Sequence, residues 1–429
     1  ATRGLRVKNL SFIVLAALIA GILVGAGVRA AENEFLTSAA GVVEAFGGLW
    51  LNALQMTVVP LVASLILVGV ASVADMSKTG GLVARAVLLF TVLIFFAALY
   101  GILAVNGLLA LWPVAPEDAQ KFLEGVGAGV GKIEAAPSFA AWLQGLAPKN
   151  PIRAAAEDAI LPLVTFAMFF GFAATRLDPK MRDTIVDFFR AVSEAMIVVV
   201  RWVLLAAPLG VFALSLGVGL RAGLGAAGTL AHYVIVVTAV TAGSVVLAWL
   251  IGVFFSRQPA AKLTTALMPV WAVSAATQSS LASLPVMLEA ALRGLGVPAR
   301  VADVTLPLAV AIFRFTSPVA NLAVCFFVAH LYGIEPSFLQ IVGAVIVAFA
   351  VSVGSVGLPG QVSFIASVGP ICLALGVPIE VLGVLIAVEV IPDIFRTLGN
   401  TTADVSATAI LARGEKEEPS LAKPAGEKR

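Results

Sequence analysis

Residues 381–411 read VLGVLIAVEVIPDIFRTLGNTTADVSATAIL, an apolar stretch that carries three acids and one arginine. A helix needs about 20 such residues to cross the ~30 Å hydrocarbon core of a bilayer. Charges at that depth cost roughly 2.5–3.5 kcal/mol each on insertion scales, so they are functional candidates by default. At about 100° per residue, one face of the helix carries Glu389, Asp393, Arg396, Thr397, Asn400 and Asp404. The stretch predicts a membrane helix whose polar face holds the functional site.

The composition of the whole chain also indicates a membrane protein. Of its 429 residues, 60% are hydrophobic and 12% are charged, about half the charged fraction of soluble domains. The mean hydropathy is +1.04, so we expect lipid to cover much of the surface. The net charge of +2 gives no indication of a nucleic-acid partner. The two cysteines and two histidines form no metal-ligand pattern, and we expect no cofactor.

Apolar segments of spanning length occur eight times along the chain. They lie at 10–28, 49–73, 85–112, 159–176, 186–219, 228–254, 299–331 and 381–411. Alternate connections are rich in lysine and arginine, which predicts that these connections and both termini are cytoplasmic. The fold class we predict is an all-α, polytopic membrane protein with eight transmembrane helices.

Two further apolar stretches, 261–291 and 340–378, are interrupted in the middle. The interruptions read ATQSSLASLP at 276–285 and GSVGLPGQ at 354–361. Half of each stretch is too short to cross a bilayer, so each predicts a re-entrant helical hairpin whose non-helical tip lies against protein or water. Each hairpin is followed by a spanning helix, which indicates inverted repeats with a binding site near the midplane. The alternative is a Gly/Pro kink in a single spanning helix.

The polar face of 381–411 suits a small anionic substrate. Arg396 offers a planar fork for a carboxylate, Asp393 suits an ammonium group, and Asn400 can both donate and accept hydrogen bonds. A zwitterion with a second carboxylate would satisfy all three. The alternative is an internal salt bridge between Asp393 and Arg396, which their i, i+3 spacing allows.

Residues 393–400, DIFRTLGN, together with Asp404, resemble the eighth-helix motif of the dicarboxylate/amino acid:cation symporters, the glutamate transporter family. Further similarity lies at 148–151, 278–285, 305–308 and 354–360. The resemblance implies a homotrimer in a bacterial inner membrane that transports its substrate by an elevator mechanism. It implies a transporter domain at 10–413, with a scaffold mainly at 10–73 and 148–219 and a transport domain mainly at 80–112 and 228–413. Residues 1–9 would be a cytoplasmic N-terminus, and the Glu/Lys/Pro-rich residues 414–429 a disordered cytoplasmic tail.

The resemblance also implies a substrate site. Its residues would be Ser279, Ser280, Ser317, Gly357, Leu358, Gly360, Asp393, Arg396, Thr397 and Asn400. Arg396 and Ser317 would bind the side-chain carboxylate, and Asp393 would bind the amino group. Thr397 and Asn400 would hold the main-chain carboxylate, while the two hairpin tips would close the site.

The seventh segment departs from the family pattern, which normally reads Asn-Met-Asp-Gly-Thr. Residues 313–317 are Phe-Arg-Phe-Thr-Ser, and neither Phe313 nor Phe315 offers the oxygen that sodium needs. Of the usual side-chain sodium ligands, Asn400 and Asp404 remain. The resemblance therefore implies a substrate face that is largely kept and sodium sites that are dismantled.

Arg314 stands in place of the motif's methionine. We expect it to supply a fixed positive charge where sodium would bind, paired with Asp404 or Asp393, since a buried guanidinium needs a partner. Coupling would then use protons carried by Glu389 or Asp404. The alternative is that Arg314 snorkels to a wet cavity.

The sequence bears on three classes of function. The leading one is secondary active symport of an acidic amino acid or a C4-dicarboxylate. A sodium-independent exchanger or facilitator, or an anion channel on the same fold, is the second. An enzyme is not expected, because the chain has neither a His-Glu-x-x-His nor a Gly-x-Ser-x-Gly motif.

Overall fold

The computed structural model describes residues 2–77, 81–126, 139–157, 159–223, 226–354 and 360–413. Within these ranges every regular element is helical, which confirms the all-α fold. The helices before residue 206 are α1 (Thr2–Ala30), α2 (Glu34–Gln55), α3 (Val58–Ser77), α4 (Gly81–Leu111), α5 (Pro116–Val126), α6 (Phe139–Gly145), α7 (Pro151–Ala156), α8 (Ile160–Ala174) and α9 (Pro179–Leu205). Those after it are α10 (Ala207–Ala222), α11 (Ala226–Ser256), α12 (Ala260–Thr277), α13 (Ser280–Glu289), α14 (Ala299–Ile312), α15 (Thr316–Leu331), α16 (Phe338–Gly354), α17 (Gly360–Leu375), α18 (Leu382–Leu385) and α19 (Val390–Leu411). A π-helical turn, Ala290–Leu295, follows α13.

Several of these helices are long and apolar enough to cross a membrane. Within the described ranges the candidate spans are Ile13–Ala30, Glu34–Ala71, Gly81–Leu111, Ala226–Ser256 and Ala299–Leu331. Two of them join consecutive helices, α2 with α3 and α14 with α15. The segment expected at 186–219 is bent, because α9 and α10 meet at 59° around Ala206. Pro208, in the first turn of α10, has no amide hydrogen to continue the helical ladder. The total of eight spans stays a prediction.

Both interrupted stretches fold into pairs of helices. The first changes direction at Gln278, whose φ of 51° ends α12 in the left-handed region, and Ser279 then caps α13. In each stretch the two helices pack against each other, α12 against α13 and α16 against α17. The tip of the second pair, with Gly357 and Leu358, lies outside the described residues. The re-entrant path of both pairs through a bilayer stays a prediction.

Two segments expected to be continuous helices are broken. The segment 299–331 is non-helical from Phe313 to Phe315, between α14 and α15. The segment 381–411 leaves its helical path at 386–389, between α18 and α19. Pro392 in the first turn of α19 cannot donate a backbone hydrogen bond, so the helix begins only a short way before it.

Helix α19 lies at the centre of the second half of the chain. It packs against α11, α12, α14 and α15, so most of its residues are buried. The same burial covers the polar face with Arg396, Asn400 and Asp404. Packing thus places the predicted functional face in the interior rather than against lipid.

Helices α1 and α10 approach each other until their backbones touch. A Cβ built on Gly25 would lie 2.2 Å from the carbonyl oxygen of Leu216, and one on Gly219 would lie 2.2 Å from that of Ile22. No real Cβ sits so close to a backbone atom, so both positions require glycine. Gly27, two residues further along α1, has open space beside it.

We expect Gly25→Val to destabilise the protein by about 1–3 kcal/mol, because the new side chain forces the two backbones apart. The measurement is thermal unfolding of the purified protein in detergent. Gly27→Val is the matched control on the same helix, and we expect it to leave the unfolding temperature nearly unchanged. Equal effects of the two substitutions would contradict the close contact between α1 and α10.

Candidate functional site

The guanidinium of Arg396 is buried on α19 and held by two side chains. Its Nη2 donates to Oε2 of Glu389 at 3.0 Å, and its Nη1 donates to Oδ1 of Asn321 at 3.0 Å. Arg396 and Glu389 are 9% and 2% exposed, so water screens this ion pair little. The alternative stated from the sequence paired Arg396 with Asp393, whereas the ion pair found here joins Arg396 to Glu389.

Tyr233 on α11 completes the coordination of Glu389. Its hydroxyl donates a hydrogen bond to Oε1 of Glu389, and its fully buried ring packs edge-on against Phe327 of α15. Sequence reasoning missed both Tyr233 and Asn321. The signal that could have found them is a polar side chain within an otherwise apolar helix.

Helix α15 is fixed to α19 at its first turn. The backbone amide of Thr316 donates to Oδ1 of Asn400 at 2.9 Å, and its hydroxyl donates to the carbonyl of Arg396 at 2.9 Å. The side-chain amide of Asn321 donates through Nδ2 to Oγ of Ser317 at 3.2 Å. Ser317, Asn400 and Arg396, which the sequence assigned to one site, thus lie together. Their role in substrate binding stays a prediction.

The first helical pair reaches the N-terminal end of α19. Gln278 at its tip donates to the carbonyl of Val390 at 3.4 Å, and Ser274 within α12 donates to Oγ1 of Thr401 at 3.1 Å. Ser279 and Ser280 therefore lie near the beginning of α19, as a closing role requires. Of the residues assigned to the second tip, Gly360 begins α17.

Aromatic rings fill the space beside the break in the seventh segment. Phe313 stacks on Phe90 of α4 with ring centroids 4.4 Å apart and planes 8° apart, and Phe315 lies at 6.0 Å from Phe313. All three rings are buried. Asp404 is 1% exposed, and within the described part of the chain neither of its carboxylate oxygens has a hydrogen-bond partner.

Arg314 lies in the break itself, between Phe313 and Phe315. Its guanidinium is near enough to Asp393 and Asp404 to interact electrostatically with both carboxylates. The expected pairing of Arg314 with Asp404 or Asp393 stays a prediction. The Nε of Arg314 is buried, and no group among the described residues accepts a hydrogen bond from it.

A model of the sodium:dicarboxylate symporter family matches residues 10–414. The chain belongs to this family. The resemblance stated on the sequence motifs is thereby confirmed, and the family is one of transporters.

Relatives within the sodium:dicarboxylate symporters cover nearly the full length of this chain. It is 27% identical over 419 residues to the proton/glutamate-aspartate symporter of Escherichia coli strain K12, covering 95% of this chain and 93% of the relative. It is 27% identical over 427 residues to a proton/sodium-glutamate symport protein of Geobacillus stearothermophilus, covering 96% of each. It is 24% identical over 426 residues to the C4-dicarboxylate transport protein of Bacillus subtilis, covering 96% of this chain and 94% of the relative.

The family name includes sodium, but the side chains beside the break fit it poorly. Sodium needs hard oxygen ligands, whereas Phe90, Phe313 and Phe315 present carbon atoms to this space. Arg314 adds a positive charge close to Asp404, and a second cation there would be repelled. The side chains next to the break are therefore poorly suited to bind the sodium ion for which the family is named.

We expect Tyr233→Phe to destabilise the protein by about 1–3 kcal/mol, since one buried oxygen of Glu389 loses its donor. Thermal unfolding of the purified protein measures the effect. Tyr332→Phe is the matched control, because no group in the described ranges is hydrogen-bonded to the Tyr332 hydroxyl. An equal loss of stability in both variants would show that the contact with Glu389 contributes nothing specific.

Proposed function

We propose that this protein is a proton-coupled symporter that carries an acidic amino acid or a C4-dicarboxylate across a bacterial inner membrane. It is not an enzyme, and its substrate is a small anion. It works as a homotrimer by an elevator mechanism, with both termini in the cytoplasm. The scaffold is mainly residues 10–73 and 148–219, and the transport domain mainly 80–112 and 228–413.

The observation that carries the proposal is the incomplete coordination of Arg396. A guanidinium has five N–H donors, of which Nη1 and Nη2 use one each on Asn321 and Glu389. Its Nε is buried and has no acceptor among the described residues. Buried donors are normally paired, and a carboxylate is the strongest partner that a guanidinium finds. The carboxylate of the substrate supplies this missing acceptor.

The relatives support the same class of substrate. The Escherichia coli relative is named for glutamate and aspartate, and the Bacillus subtilis relative for C4-dicarboxylates. All of these molecules carry two carboxylates. One carboxylate binds Arg396 with Ser317 beside it, and the other is held by Thr397 and Asn400.

Protons suit this chain better as the coupling ion than sodium does. The ring stack of Phe90 and Phe313 removes oxygen ligands from the space beside the break. Asp404 has two buried oxygens without hydrogen bonds in the described structure, and a carboxylate in that setting is costly as an anion. Glu389 or Asp404 therefore takes up the transported proton. The name of the Escherichia coli relative includes the proton alone, and that of the Geobacillus stearothermophilus relative includes both the proton and sodium.

Uptake into proteoliposomes tests the function and the coupling ion together. Radiolabelled aspartate, glutamate and succinate are offered while sodium, proton and potassium gradients are imposed one at a time. We expect an inward proton gradient to drive accumulation, and a sodium gradient at constant pH to add little. Strong stimulation by sodium at constant pH would contradict proton coupling, and substrate-gated current without accumulation would contradict symport.

We expect Arg396→Lys to weaken substrate binding by about tenfold or more, because lysine keeps the charge but loses the planar fork. Calorimetric titration of the purified protein with aspartate and succinate measures the change. Arg293→Lys is the control, since the ion pair of Arg293 with Glu289 is exposed on α13 and the π-helical turn. Equal affinities of the two variants would contradict the role of Arg396.

A further inference from the structure

Arg314 is held against the functional face of α19 by its neighbours in the chain. Thr316, two residues later, is hydrogen-bonded through its amide to Asn400 and through its hydroxyl to the carbonyl of Arg396, each at 2.9 Å. On the other side, Phe313 is stacked on Phe90. These contacts fix the break on both sides of Arg314. The backbone at Arg314 therefore cannot move away from α19 without breaking buried contacts.

The charges around Arg314 are those of the candidate substrate site. Its guanidinium interacts favourably with Asp393 and with Asp404, and unfavourably with Arg396. Its buried Nε is unpaired within the described ranges, so the group is not fully saturated by the protein. The polar face of α19 has one guanidinium of its own, that of Arg396. Arg314 adds a second one from the break before α15.

Asp393 is the carboxylate that an amino-acid substrate needs for its ammonium group. In this chain that carboxylate already has a cation within electrostatic range, the guanidinium of Arg314. A substrate ammonium would have to share Asp393 with it, and two cations at one carboxylate repel each other. A dicarboxylate without an amino group meets no such competitor.

We propose that Arg314 is a specificity-determining residue that takes the position of a substrate's ammonium group at Asp393, so that the site selects C4-dicarboxylates over acidic amino acids. This inference rests on the proposed function, because it concerns the same site. The protein itself supplies the cation that aspartate or glutamate would bring. Succinate, fumarate or malate then needs only the donors for its two carboxylates.

The test compares binding of succinate and L-aspartate by calorimetry on the purified full-length protein at one pH. We expect the native protein to bind succinate about tenfold or more tightly than aspartate. Arg314→Met removes the built-in cation, so we expect it to weaken succinate binding and to strengthen aspartate binding. A gain in aspartate affinity cannot come from misfolding, which lowers binding of every ligand.

A double variant separates charge compensation from direct contact with the substrate. If Arg314 only neutralises Asp393, the variant with Arg314→Met and Asp393→Asn has no uncompensated charge at this position and regains succinate binding. If succinate binding stays lost in the double variant, Arg314 is a direct ligand of the substrate and the proposal is wrong. Arg314→Lys is the conservative control, and we expect it to retain the preference for succinate.

Two further outcomes are decisive. A native protein that prefers aspartate to succinate, or an Arg314→Met variant that loses both affinities in equal proportion, would overturn the role of Arg314 and leave acidic-substrate transport standing. A native protein that binds neither ligand, and accumulates neither in proteoliposomes, would overturn the proposed function itself.

Discussion

The guanidinium of Arg396 lies where water cannot solvate its charge, and the surrounding helices are arranged to compensate for it. Burying one ion of this kind costs several kcal/mol unless it is paired and hydrogen-bonded. Glu389 supplies the opposite charge, Asn321 a second acceptor, and Tyr233 a donor for the remaining oxygen of Glu389. These residues come from α11, α15 and the turn before α19, so one buried charge fixes the relative positions of three elements. Replacing Glu389 by an apolar residue would leave the charge of Arg396 without its ion-pair partner, at a cost of about 3–5 kcal/mol.

The break at 313–315 follows from the same arrangement. Backbone groups without helical hydrogen bonds are stable at this depth only when protein covers them, and Asn400 accepts the amide of Thr316 directly after the break. The chain can therefore leave the helical path where Arg314 has to face α19. The break brings Thr316 to Asn400 and to the carbonyl of Arg396, and it leaves Arg314 within electrostatic range of Asp393 and Asp404.

Much of this arrangement could be predicted from the sequence. The charged face of 381–411 is visible in its periodicity, and the ion pair between Glu389 and Arg396 joins two residues of that face. The small and hydroxyl-bearing residues at 276–285 and 354–361 predicted that each apolar stretch forms two helices. In each case the signal lies within one local stretch of chain.

The parts that could not be predicted depend on contacts between distant segments. Tyr233 and Asn321 are two of several polar residues in mostly apolar helices, and only packing reveals that they meet Glu389 and Arg396. The break at 313–315 is hidden because phenylalanines continue the apolar pattern of 299–331. The bend at Ala206 is hidden for a similar reason, since the apolar run continues through it.

The stacked rings of Phe90 and Phe313 limit which substitutions either position tolerates. The rings belong to α4 and to the break after α14, and each fills the space that the other would leave empty. Exchanging one ring for a small polar residue opens a cavity beside the remaining ring, and truncating a buried phenylalanine costs about 3–5 kcal/mol. Neighbouring substitutions of this kind are not independent. A polar residue at either position alone therefore lowers the stability of the protein, and only a paired change of both rings can refill the space between α4 and the break.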